Sequence, residues 1–192
     1  SISYPAGCRC PPRLDKPPGG RHIGDMSNPV AERRPPVRMT VRALVMDPVS
    51  NMPVVILQDP DQSSFLPIWI GVCEANAISL VLEGVLTPRP MTHDLIRGLL
   101  GATGYSVDHV LIHSLSESVF LASIHLVNGA GDSREVDSRP SDALALALRT
   151  NSAILVDPEV LARAVVAEPS QDEAIRSILE RLRPEDLGEY EM

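Results

Sequence analysis

Arg139-Pro140-Ser141-Asp142-Ala143-Leu144-Ala145-Leu146-Ala147-Leu148-Arg149 is the stretch on which the fold turns. Pro140 suits a first helical turn, where its missing N–H is no loss, and Asp142 favours the positive end of a helix dipole. From Ala143 to Arg149 the segment is apolar nearly all round, so it reads as a helix buried on every side. A helix of that kind needs a sheet and other helices around it.

The flanking sequence supplies them. Upstream, Tyr105 to Ser114 and Val119 to Asn128 read as strands about a turn at Ser116-Glu117-Ser118, and Gly129-Ala130-Gly131 turns into a short strand ending near Val136. Downstream, Ala153 to Val156 is a short strand, and Asp157-Pro158 opens a helix through about Val166. Nearer the start, Thr40 to Met46 and Pro53 to Leu57 make a hairpin, and Phe65 to Ile70 makes a third strand ended by Gly71. Val72 to Leu86 then turns helical, with Asn76, Ser79 and Glu83 opposite Ile78, Val81, Leu82 and Val85. Another helix starts at Thr92 after Pro88-Arg89-Pro90, buries Leu95, Ile96, Leu99 and Leu100, and closes at Gly101 and Gly104.

These elements predict an α+β fold: two strand-rich β-β-β-α halves forming a mixed, mainly antiparallel sheet packed with helices. Each half carries an Arg-Pro pair ahead of a helix with an early Asp, namely Arg89-Pro90 with Asp94 and Arg139-Pro140 with Asp142. A remote duplication would produce this match, and proline's preference for helix starts accounts for part of it.

Residues 1–38 hold eight of the eighteen prolines and no periodicity, and are expected to be disordered. Met39, just before the first strand, is a candidate natural start. The domain spans 39–167. In 168–192, an acidic tail, Ser170 and Glu173 form a capping box ahead of a stripe of Ile175, Ile178, Leu179 and Leu182.

Of 192 residues, 44% are hydrophobic, with mean hydropathy +0.04, enough for a core of ordinary size. Apolar runs break well before the roughly 20 residues of a membrane span, and no secretory signal is visible, so a cytoplasmic protein is expected. Cys8, Cys10 and Cys73 make neither a disulfide framework nor a zinc site. Residues 1–38 carry seven basic against three acidic side chains, 39–167 seven against fourteen, and 168–192 three against eight. With no Lys after Lys16, broad attraction to a phosphate backbone is disfavoured, and nucleic-acid chemistry here needs a local site, a metal ion or an oligomeric groove.

No phosphate-binding Gly-rich loop, serine-hydrolase elbow or His-Glu-x-x-His helix occurs. The remaining polar candidates fall in three places: Glu74; Arg89 with Thr92, His93 and Asp94; and Asp137 with Arg139, Ser141 and Asp142. Glu74 lines up with Ile78, Val81 and Val85, which suits either an acid turned to water at a helix start or a carboxylate aimed into a pocket. Thr92 to Asp94 and Arg139 to Asp142 suit helix caps as well as a site, and two helix N-termini could converge on one anion. Carboxylates holding a divalent cation, a cation to offset phosphoryl charge and a histidine near neutral pKa are the parts of phosphodiester hydrolysis. His93 stands beside both an Asp and an Arg-Pro element, whereas His109, His113 and His125 lie on strands as packed or edge residues.

Four runs together resemble the bifunctional nuclease family over about residues 39–167: Leu66-Pro67-Ile68-Trp69-Ile70-Gly71, Glu74-Ala75-Asn76-Ala77-Ile78, Arg89-Pro90-Met91-Thr92-His93-Asp94-Leu95, and Asp137-Ser138-Arg139-Pro140-Ser141-Asp142-Ala143-Leu144-Ala145-Leu146-Ala147. The resemblance implies an α+β domain, often self-associating, that cuts DNA and RNA. Its motif positions fall on Glu74, His93, Asp94, Asp137, Arg139, Ser141 and Asp142, with no settled catalytic assignment to carry across. The reading that follows has His93, Asp94, Asp142 and Glu74 as catalytic candidates and Arg89, Arg139, Ser141 and Thr92 at the substrate. Glu74, Asp94, Asp137 and Asp142 are candidate ligands of Mg²⁺ or Mn²⁺. The alternative is a non-catalytic regulatory module that binds an anionic ligand or a protein partner through the same face. The two part on geometry: carboxylates converging on one point suit a metal, and Arg139 locked in an internal salt bridge suits the module.

Overall fold

The alternation at Val41, Ala43 and Val45 becomes β1 (Val37–Met46), the inner strand of an antiparallel meander with β2 (Pro53–Gln58) and β3 (Phe65–Trp69). The computed structural model describes residues 34–48, 50–61, 64–117 and 119–167. Within them follow α1 (Val72–Leu82) and α2 (Thr92–Ala102), then a second meander of β4 (Tyr105–Ser116), β5 (Val119–Asn128) and β6 (Ser133–Ser138). Then α3 (Pro140–Thr150), β7 (Ala153–Val156) and α4 (Pro158–Ala167) complete the described chain. Residues 1–33 lie outside it, as do Ser170, Glu173 and the stripe from Ile175 to Leu182.

All seven strands form one sheet in the order β3-β2-β1-β7-β4-β5-β6. β7 joins the meanders, antiparallel to β1 and parallel to β4, the one parallel pair in the sheet. Each meander places its last strand at an edge, β3 or β6, and each edge strand leads into a helix, α1 or α3. The fold is α+β with a mixed, mainly antiparallel sheet.

Several boundaries differ from the sequence pattern, three of them by a turn or a pairing that can be named, while β4 and β6 each run two residues further than expected, to Ser116 and Ser138. β1 begins at Val37, before Met39, because Val37, Arg38 and Met39 pair with Val156, Leu155 and Ile154 of β7. α1 stops at Leu82 and not Leu86: Gly84 takes φ +63°, and the Gly84 and Val85 N–H groups donate to the Val81 and Leu80 carbonyls. That pair of bonds is a Schellman ending, which outweighs the apolar phase of Val85 and leaves Leu86 95% exposed. α3 starts at Pro140 with Arg139 as its N-cap and ends at Asn151 with φ 53°.

In isolation the Ala-Leu alternation of α3 has the period of a strand. Pro140 at the start, Asp142 in the first turn and the high helix propensity of Ala and Leu decide for the helix. Residues 143 to 147 are almost completely buried. α1 and α2 pack against α3, and α3 lies on β4, β5 and β7. The alanines let these neighbours approach closely, while Leu144 and Leu146 join Ile78, Val110, Ile112 and Val156 in the core.

By contrast, α2 leaves Leu95 and Leu99 mostly exposed. Leu144→Ala should therefore lower the unfolding free energy by about 2–5 kcal/mol in urea titration, and Leu99→Ala should change it by about 0.5 kcal/mol or less.

Candidate functional site

Glu74 sits in the first turn of α1, where Gly71 is the N-cap. Its carboxylate folds back over Gly71, in space that a Cβ at that position would occupy. There it accepts a hydrogen bond of 2.8 Å from Arg139 Nη1. Arg139 also donates Nε to Asp142 Oδ2 at 2.7 Å, an i,i+3 pair across the start of α3. The other oxygen of Asp142, Oδ1, lies 3.2 Å from Nε2 of His93, the one buried residue of α2. A continuous chain, Glu74–Arg139–Asp142–His93, thus ties the N-terminal turns of three helices together.

The chain is graded in exposure. Arg139 is 64% exposed, whereas the His93 side chain is 11% exposed. Nη2 of Arg139 makes no hydrogen bond to a described residue, so part of its fork faces outward. Hydrogen bonds to Asp142 and Glu74 push the Arg139 guanidinium pKa upward. Partial burial pushes the Asp142 carboxyl up, but hydrogen bonds from Arg139 and His93 outweigh it and hold the group below the usual carboxylate value. With Asp142 ionised, the His93 contact requires a proton on Nε2, which leaves Nδ1 as the ring nitrogen able to accept one.

Asp94 is the neighbour of His93 in sequence but faces another partner. Its Oδ2 accepts the Met91 N–H at 3.1 Å, capping α2, and its Oδ1 accepts Nε of Arg149 at 2.9 Å. Burial raises the Asp94 pKa, and the Met91 N–H and Arg149 together bring it below the usual value. Arg149 is 3% exposed, and its Nη1 donates to the Ala145 carbonyl at 2.9 Å. Its own carbonyl accepts Arg97 Nη1 at 3.1 Å. Arg149 was absent from the residues singled out by sequence, although a cation in a helix otherwise apolar all round signals a buried partner.

The other candidates stand apart from this chain. Met91, and not Thr92, is the N-cap of α2, and Thr92 is exposed. Ser141 is buried in the first turn of α3. Arg89 is exposed, without an ion-pair partner among the described residues. Asp137 is exposed on β6 opposite Ser123. On β4 and β5, His109 and His125 stack across the strands with ring centroids 4.2 Å apart, and His109 Nδ1 lies 2.7 Å from Asp108. Cys73 is exposed and free.

The four carboxylates expected at a cation are not brought to one point. Glu74 and Asp142 are engaged by Arg139 and His93, Asp94 by Arg149, and Asp137 lies on the edge strand. Among the described residues no group of three or more His, Cys, Asp or Glu side chains is placed to hold a metal ion. As arranged, the donors do not fit a divalent cation. Also among the described residues, no helix is long and apolar enough to cross a membrane.

The fold and this cluster define an α+β domain whose distinctive chemistry lies at joined helix N-termini. The model of the bifunctional nuclease domain family matches residues 55–169, and the chain belongs to that family. Two uncharacterized proteins of Mycobacterium tuberculosis, MT1877 and Rv1829, are each 42% identical to it over 132 residues, covering 68% of this chain and 78% of theirs.

Two predictions follow from the geometry. Gly71→Ala should displace the Glu74 carboxylate, a flexible group, so it should reproduce the functional effect of Glu74→Ala while lowering stability in urea by about 1 kcal/mol or less. Asp94 and Asp142 both have lowered pKa values, so each stabilises the fold fully above the ordinary carboxylate pKa of about 4, and that stability is lost as pH falls through the lower folded values. Urea midpoints measured from pH 6 to pH 2 should therefore fall less steeply below pH 4 in Asp94→Asn and Asp142→Asn than in the parent.

Proposed function

We propose that the protein is a nuclease-like hydrolase that cleaves phosphodiester bonds of DNA and RNA at the Glu74–Arg139–Asp142–His93 chain. The observation carrying this reading is that a histidine and an outward-facing arginine share one carboxylate, Asp142, at the meeting of three helix N-termini. Asp142 holds the imidazole with Nε2 protonated, and Nδ1 takes the proton from the attacking water. Water oxygen bonds to phosphorus as the P–O bond to the departing sugar oxygen breaks, that oxygen takes a proton from solvent water and leaves as an alcohol, His93 returns its proton to solvent, and Arg139 offsets the charge on the phosphoryl oxygens. Glu74 braces Arg139 from the far side. Family membership supports a nuclease-like activity. Work in the cytoplasm as an assembly of copies belongs to the same reading.

Mg²⁺ or Mn²⁺ has no step in this scheme, because Glu74, Asp142 and Asp94 pair with arginines of the protein itself. The second reading, a non-catalytic module for an anionic ligand or a protein partner, is favoured by Arg139 being held between Glu74 and Asp142 and by an acidic domain without lysine.

The deciding experiment is cleavage of labelled single- and double-stranded DNA and RNA by the full chain with Mg²⁺, Mn²⁺ or EDTA, beside identically purified His93→Ala and Asp142→Asn variants. Loss of cutting by about 100-fold or more in folded variants is expected. Persistence of cutting in EDTA would agree with the unaided scheme, and strict dependence on Mg²⁺ or Mn²⁺ would restore the metal reading. Equal cutting by all three proteins, or none under any condition, would overturn the enzyme reading, and absence of cutting would leave the binding module.

A further inference from the structure

α2 is held to the domain in an unusual way. Its only buried residue is a histidine, while Leu95 is 55% exposed, Leu99 58% and Ile96 37%. Leu100 alone of its leucines packs at the edge of the core. The specific attachments of the helix are polar, and all go to α3: His93 to Asp142, Asp94 to Arg149, and Arg97 to the Arg149 carbonyl. Asp142 and Arg149 are seven residues apart, two turns of one helix, or about 10 Å at 1.5 Å per residue. Apolar packing is tolerant of small slides, whereas a guanidinium–carboxylate pair fixes distance and direction.

We propose that Arg149 is the positioning residue of the site: through Asp94 it sets where the first turn of α2 lies, and so where the His93 imidazole meets Asp142. Arg149 is itself fixed. Its side chain turns back along α3, with Nη1 on the Ala145 carbonyl and Nε on Asp94, in a setting only 3% exposed. Asp94 in turn accepts the Met91 N–H on its other oxygen, so one carboxylate serves both the α2 cap and the ion pair. Arg149 and Asp94 make no hydrogen bond or ion pair with Arg139 or Glu74, and would act on the site through His93.

The inference rests on the proposed chemistry for its kinetic consequence but not for its structural one, so the test has two readouts. The first is ¹⁵N NMR of the His93 ring, which reports the Nε2–H···Asp142 contact whether or not the protein cuts anything. Arg149→Met and Asp94→Asn should both lose that signature in folded protein. Arg149→Lys, which keeps a charge but not the fork, should recover it only partly. The second is the kinetics of whatever phosphodiester the parent cuts: kcat falls on the order of 10- to 100-fold with KM within about twofold, as a misplaced group predicts. The double variant Asp94→Asn/Arg149→Met should lose no more than either single one. An unchanged His93 signature in folded Arg149→Met would overturn the inference. Lack of cleavage by the parent, with the signature still lost in the variants, would overturn the enzyme reading and leave the positioning role standing. Should Arg149→Met fail to fold, Asp94→Asn carries the same test from the less buried side of the pair.

Discussion

Burial of the middle of α3, residues 143 to 147, is the constraint on which the rest of the domain depends. A helix enclosed to this degree keeps charged groups where a partner meets them, because an unpaired ion in the interior costs several kcal/mol. α3 has two acidic or basic side chains, Asp142 in its first turn and Arg149 in its last. Each therefore fixes a neighbour. Arg149 draws the start of α2 across the helix through Asp94, and Asp142 gathers His93 from α2 and Arg139 from the end of β6. Arg139 then reaches Glu74 on α1. The polar chain is thus a consequence of how the most apolar helix is enclosed.

At each of the three helix starts a carboxylate stands in the first turn, where the dipole favours it. Helix stabilisation and participation in the cluster are not competing descriptions of these residues. Asp94 accepts the Met91 N–H and pairs with Arg149, and Glu74 occupies the first turn of α1 while holding Arg139. Glu74 and Asp142 share Arg139, and Asp94 pairs with Arg149, so each carboxylate of the cluster has a cation of the protein beside it. Arg139 could not be exchanged for lysine without loss, since only a planar fork holds two carboxylates and still turns a third nitrogen outward.

Much of this was legible from the residues, for reasons that differ by element. The strands, the buried α3 and the α+β class follow from periodicity and punctuation, which are local. The gathering of Glu74, His93, Arg139 and Asp142 was legible as a set of polar residues left over from the packing pattern, but not as a contact, because the pairs span 65 and 49 residues. Asp137, which leaves the set, had a motif position no different from the others. Only the sheet order decides that Asp137 lies on the edge strand β6. The apolar stripe of Leu95 and Leu99 misled in the opposite direction: amphipathic phase shows that a face is apolar, not that anything in the same chain covers it.

The charge distribution limits how such a site can recognise an anion. Residues 39–167 carry fourteen acidic side chains against seven arginines and no lysine. Of those arginines, Arg149 is buried on Asp94, Arg97 donates to the Arg149 carbonyl and Arg139 is shared by two carboxylates. A field of that sign repels a polyanion at distances beyond the Debye length of about 8–10 Å only weakly and inside it strongly. On the proposed reading, attraction would therefore arise at contact, from Arg139, whose side chain is 64% exposed, and from helix N-termini, whose N–H groups favour negative charge. On the proposed reading, such contact would select one phosphate at a time, and recognition would depend on the local geometry that α3 imposes and not on a basic surface.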